Sequence, residues 1–262
     1  MHTRKHAISA VALLFMLALA AGSQKPTPGE VEAGLAAAAG DKKILDDYVT
    51  KIGAVYKSLS AMNMHGLNGT RCDEAAMLKA APPKKDDYGK IHAQRIFGPY
   101  MARFASKNAA DWKKYDYNGT WDWLTDSSYG GHFESFPDTR DAYAIKDTAR
   151  RVKEEFIPSR YIVVIWPTDA KNTMPIYHPK NESFIGGYFE GMVFVVDAID
   201  NKVMCHSPLY VASGDLITYK TRGLLREKPE TALKDDFENR MKKELTTALP
   251  DAIDFGTMGT IF

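Results

Sequence analysis

Apolar residues recur at alternating intervals of three and four from Leu45 through Tyr48, Ile52, Val55 and Leu59 to Met62, which sets them on one face of a helix. It begins after Asp41 and ends in the Asn- and Gly-bearing stretch 64–69. The same stepping through Ala142, Ile145, Ala149, Val152 and Phe156, with Asp138 or Thr139 as N-cap and Pro158 as stop, predicts a helix over 139–156. Near the C-terminus Leu233, Phe237, Met241, Leu245 and Leu249 repeat every four residues behind Pro229, while Lys234, Asp236, Arg240 and Lys243 take the other faces. Amphipathic helices at both ends of the folded chain need a surface to cover.

β-rich runs supply that surface. Tyr161 to Trp166 lacks polar alternation and reads as a strand buried on both faces, in mid-sheet. Residues 188–196 and 202–211 form an antiparallel hairpin around the polar turn Asp197 to Asn201, and 216–221 adds a further strand. The stretch 168–187 reads as loop from its Pro, Asn and Gly content. Upstream, Ile91, Ile96, Tyr100 and Phe104 suggest a helix interrupted at Gly98-Pro99, with a shorter one over 109–115. Helices, a strand, a hairpin and a closing helix predict an α+β fold, an antiparallel sheet of strand 161–166 and hairpin 188–211 with helices packed on one side.

The first forty residues stand outside this pattern. Arg4 and Lys5 precede an apolar run from Ala7 to Ala20, too short to cross a bilayer comfortably and closed by the small-x-small triplet Ala18-Leu19-Ala20. This is the layout of a signal peptide over 1–20, and 21–40, rich in Gly, Ala and Pro, reads as a flexible leader with helical tendency over 31–39. The single globular domain then runs over 41–262, with a weak internal boundary at 82–87. Cleavage would leave 32 basic residues against 33 acidic, a balance with no field to recruit nucleic acid, and no second run has membrane-spanning length. The expected product is periplasmic or secreted. In such an oxidising compartment Cys72 and Cys205, the two cysteines of the chain, are free to pair, although sequence fixes neither their separation nor their orientation.

Chemistry is sparse. No Gly-x-Ser-x-Gly elbow surrounds a serine, Gly186-Gly187 leads into a strand rather than a phosphate-binding helix, and His65, His92, His132, His178 and His206 are scattered singly, so no cofactor is indicated. Asp197, Asp200 and Asn201 suit the turn for backbone reasons. The unusual segment is 112–136, where Trp112, Tyr115, Tyr117, Trp121, Trp123, Tyr129, Phe133 and Phe136 mix with glycines without any period. Such a loop either lids the core or displays a stacking platform.

Two functions follow. The favoured one is a non-catalytic, exported domain of the bacterial cell envelope in which Trp121, Trp123 and Tyr129 stack a cell-wall or sugar ligand or anchor a protein partner. The alternative is a hydrolase, metal-assisted or not, using His132, Glu134 and Asp138 with Tyr129 or Arg140 as electrostatic helper, since alternate residues of an extended segment share a face.

Overall fold

The structure is a computed structural model that describes residues 28–64, 67–79, 89–105, 121–124, 142–169, 171–214 and 228–255. Helices α1 (Pro28–Ala37), α2 (Ala39–Ser60) and α3 (Glu74–Lys79) precede strand β1 (Ile91–Phe97) and helix α4 (Gly98–Ala105). A 3-10 turn at Asp122–Leu124 follows, then α5 (Ala142–Arg151), which widens into a π-helical turn over Val152–Phe156, where the Ile157 N–H bonds to the Val152 carbonyl. Next come β2 (Tyr161–Pro167), the short pair β3 (Ile176–His178) and β4 (Ser183–Ile185), β5 (Tyr188–Asp197), β6 (Lys202–Ala212), α6 (Pro229–Ala248) and β7 (Ile253–Asp254). The α+β class is thus observed. No helix among the described residues is long and apolar enough to cross a membrane.

The main sheet has the order β6-β5-β2-β1-β7. Its β6-β5-β2 part is antiparallel, as the alternation and turn residues predict, but β1 runs parallel to both β2 and β7, so the sheet is mixed rather than antiparallel. A parallel neighbour needs a long crossover, and the segment between β1 and β2, which carries α4 and α5, provides it. The expected helix through Ile91 and Ile96 is therefore a strand followed by a helix. Gln94 and Arg95 spoil the apolar pattern of β1, yet both are buried because each has partners: Arg95 donates from Nε to the carbonyl of Leu124 and from Nη1 to that of Phe255, both at 2.9 Å. Pro99 lies in the first turn of α4, where its missing N–H costs nothing, and so starts a helix rather than interrupting one. One further expectation changes: the loop 168–187 contains the β3-β4 ribbon, whereas α1 overlaps the stretch 31–39 where helical tendency was expected.

Helices cover both faces of the sheet, not one. Register places Trp166, Met192 and Pro208 on one face, and Phe97, Phe189 and Leu209 on the other. Tyr56 of α2 meets Trp166 at 5.5 Å between ring centroids, close to Gly98, where a Cβ would run into the Trp166 ring. On the opposite face Phe237 of α6 joins Trp121, Phe97 and Phe189. The faces of α2 and α6 that bury Leu45, Tyr48, Ile52, Val55 and Leu59, and Leu233, Phe237, Met241 and Leu245, are those read from the spacing. Each large apolar side chain so buried stabilises by about 1.5–3 kcal/mol, which outweighs the helix propensities in docking these helices.

Covalent closure comes from the edge. Cys72 and Cys205 form a disulfide with a Cα separation of 4.8 Å, and next to it Thr70 pairs with His206 through backbone bonds of 2.7 and 3.3 Å. The strap 67–72 thereby covers the start of edge strand β6. The hairpin turn is built as its composition suggests: Asp197 Oδ1 accepts from the N–H groups of Ile199 and Asp200, and Asn201 takes a φ of 50°, which Asn tolerates.

Candidate functional site

Along β5 and β6 the residues of one face are Tyr188, Glu190, Met192 and Phe194, opposite Ala212, Tyr210, Pro208 and His206. At the end formed by the start of β5 and the finish of β6, no helix among the described residues covers this face completely, and Tyr210 remains 60% exposed. Glu190 is exposed beside it. The Tyr188 and Tyr210 rings meet edge to face, with centroids 5.6 Å apart and an interplanar angle of 81°. The Tyr188 hydroxyl donates to Glu190 Oε2. Two aromatic surfaces and a carboxylate therefore share one exposed corner.

The turn after β2 holds this corner in place. The Lys171 N–H donates to Asp169 Oδ1 at 2.8 Å, closing an Asx-type turn that presents Asn172 to β5. The Asn172 side chain then acts as a strand would: Nδ2 donates to the Glu190 carbonyl at 3.0 Å and Oδ1 accepts from the Glu190 N–H at 2.7 Å. Thr173 exchanges two 2.8 Å backbone bonds with Tyr188. Because the backbones of Tyr188 and Glu190 bond away from β6, Glu190 and Tyr210 form a non-hydrogen-bonded cross-strand pair, the kind in which opposing side chains stand closest.

The local field is negative. The hydrogen bond to Glu190 chiefly, with desolvation and the charges of Glu190 and Asp169, pushes the Tyr188 phenol up to about 12. A phenol raised above its unfolded value of 10.0 stabilises the fold fully below that pH, and the contribution fades as pH climbs through about 12. The stability difference between the native chain and Tyr188→Phe is therefore expected to stay constant from pH 6 to 9 and to shrink above about 10. Absorbance titration at 295 nm should show the variant lacking one late-titrating phenol. A Tyr188 that titrates with the ordinary phenols would mean that the bond to Glu190 does not persist.

The residues singled out in the sequence fall elsewhere. His132, Glu134, Asp138, Tyr129 and Arg140 lie outside the described residues. Trp121 and Trp123 are 2% and 9% exposed; Trp121 packs edge-on to Phe189 at 5.1 Å, and the two indoles stack at 6.5 Å. Both are core residues, and a ligand could stack on them only by displacing that packing. The Trp123 Nε1 group is buried with no hydrogen-bond partner. Cys72 and Cys205 are paired, the pairing that the sequence left open. Among the described residues no group of three His, Cys, Asp or Glu side chains could hold a metal ion. Comparison with family models, curated proteins and solved structures finds no match, so the site stands on its own geometry.

Proposed function

We propose that the protein is a non-catalytic binding domain of the bacterial cell envelope, exported by its N-terminal segment, and that its binding face is the corner of Tyr188, Glu190 and Tyr210. The observation that carries this reading is the exposed Tyr210 ring set edge to face with Tyr188, whose hydroxyl bonds to the Glu190 carboxylate, while the Asn172 side chain holds both the N–H and the C=O of Glu190. Exposed aromatics beside a fixed polar group suit recognition, because little side-chain freedom is lost on contact. The Cys72–Cys205 disulfide supports an oxidising address, where such bonds persist. This reading takes the hairpin corner rather than the aromatic loop as the binding surface, since Trp121 and Trp123 are buried, while Tyr129 lies outside the described residues.

A thermal-melt screen of the chain against cell-wall fragments, oligosaccharides, lipids and peptides tests this, since a ligand that binds the native state raises the melting temperature by mass action. At least one class should give a saturable shift, and Tyr210→Ala and Glu190→Gln should each remove most of it. Both side chains are exposed, so the unliganded variants should melt within a few degrees of the native chain. A ligand shift that survives both substitutions would place binding elsewhere.

A further inference from the structure

The outer edge of β6 differs along its length, and the difference is set by backbone parity. His206 turns its N–H and C=O outward to Thr70, and the register to β5 is continuous from Cys205 to Ala212, so Pro208, Tyr210 and Ala212 also face outward. The first part of this edge is closed by Thr70, tied down by the Cys72–Cys205 disulfide, and then interrupted by Pro208, which lacks an N–H to offer. Beyond Pro208 no such device is found among the described residues. The outward N–H and C=O groups of Tyr210 and Ala212 have no backbone partner among the described residues. The strand end is nevertheless firmly held: the Ser213 N–H donates to the Gly187 carbonyl at 2.9 Å, and the Gly214 N–H to Asp236 Oδ2 of α6 at 3.1 Å. A short rigid edge therefore borders the Tyr188–Glu190–Tyr210 corner.

We infer that this edge takes up an extended basic segment of a partner protein as an added strand, with a Lys or Arg side chain of that segment lying across Tyr210 toward Glu190. The inference rests on the binding-face reading above and names its partner class. Main-chain bonds to Tyr210 and Ala212 would supply affinity, and the side chain on the aromatic face would supply selection. Spacing decides the side chain. An added strand would lie about 4.8 Å beyond β6 and about 10 Å from β5, so only a long side chain meets Glu190, and it crosses the exposed Tyr210 ring on the way. Charge decides its sign. Glu190 and Asp169 form no ion pair with any Lys or Arg among the described residues, and an ammonium or guanidinium over a tyrosine face beside a carboxylate is favoured by both groups. Lys171, in the same turn, enters the cluster through its backbone N–H.

The test uses the full chain and a capped synthetic peptide of about seven residues alternating lysine and valine, with a glutamate-for-lysine counterpart, titrated at low salt by calorimetry and followed by amide hydrogen exchange. The expected result is saturable binding of the lysine peptide alone, with slowed exchange at the Tyr210 and Ala212 amides. Affinity should fall about tenfold or more in Glu190→Gln, which removes charge. A comparable fall is expected in Ala212→Pro, which removes an outward N–H while sparing every bond to β5, as Pro208 already does. Binding without slowed exchange, binding unaffected by Ala212→Pro, or equal binding of the glutamate peptide would overturn the inference. If neither peptide binds while Tyr210→Ala abolishes the thermal shift of an oligosaccharide or lipid, strand addition fails and the binding face stands. If Tyr210→Ala changes no ligand response, both fail.

Discussion

Replacing Cys72 and Cys205 together by alanine is expected to lower the unfolding free energy by about 2–5 kcal/mol, toward the upper end of the usual range because the bond spans a sequence separation of 133. In the chain-entropy account the crosslink acts on the unfolded ensemble: a long closed loop has fewer conformations, and opening it returns them. For a chain of this size that loss corresponds to a fall in melting temperature of about 10 °C. A local effect accompanies the global one. Thr70 pairs with His206 by two backbone bonds and a 3.3 Å side-chain contact between Oγ1 and Nε2, and without the crosslink the strap must hold by these and by the partly buried Leu67. The His206 amide is accordingly expected to exchange faster in the variant even where the core remains protected. Urea denaturation in parallel with amide exchange checks both. A loss below about 1 kcal/mol would show that the chain is constrained elsewhere in its unfolded state.

The elements that were legible in the sequence share one property: their burial pattern is local. Helix α2 could be read because Leu45 to Leu59 repeat within a single element, and β2 because Tyr161 to Ile165 are apolar without interruption. Strand β1 escaped because Gln94 and Arg95 are buried by partners far along the chain, including Phe255 for Arg95, and no local rule anticipates such a rescue. The parallel pairing of β1 with β2 was lost with it. The corner proposed as the binding face was half legible: Tyr188 and Glu190 are two apart on a strand and must share a face. Tyr210 was not, because register decides it. Counted outward from the Asp197–Lys202 pair, Glu190 would face Leu209, whose side chain points into the core; the irregularity between Val195 and Val196 shifts the ladder and brings Tyr210 opposite instead. In the loop 112–136 no period was present, so aromatic density alone could not separate a buried Trp121 from a displayed one.

Asp197→Ala is expected to cost about 3 kcal/mol, because one carboxylate both ends the hairpin and neutralises a largely enclosed arginine. Its Oδ2 lies 2.6 Å from Nη2 and 2.7 Å from Nε of Arg160, while its Oδ1 accepts from the Ile199 and Asp200 N–H groups. The Asp197 and Arg160 side chains are only 3% and 13% exposed. Hydrogen bonding to Asp197 is the largest cause that holds the Arg160 guanidinium above its ordinary value, and that ordinary value is itself high enough to keep the arginine charged when Asp197 is removed. Truncation would leave that charge with Asp200 at 3.2 Å, a pairing on the solvent side that recovers little. Asp197→Asn separates the two roles. The asparagine carbonyl can still cap the turn, whereas the ionic bond to Arg160 is lost, so most of the destabilisation should remain if the ion pair dominates and most should be rescued if the turn does. Given the burial on both sides, the asparagine variant is expected to keep more than half of the loss in urea denaturation. Full rescue by asparagine would make the turn, not the ion pair, the source of stability, and would reduce Arg160 to a side chain that can turn to water without cost.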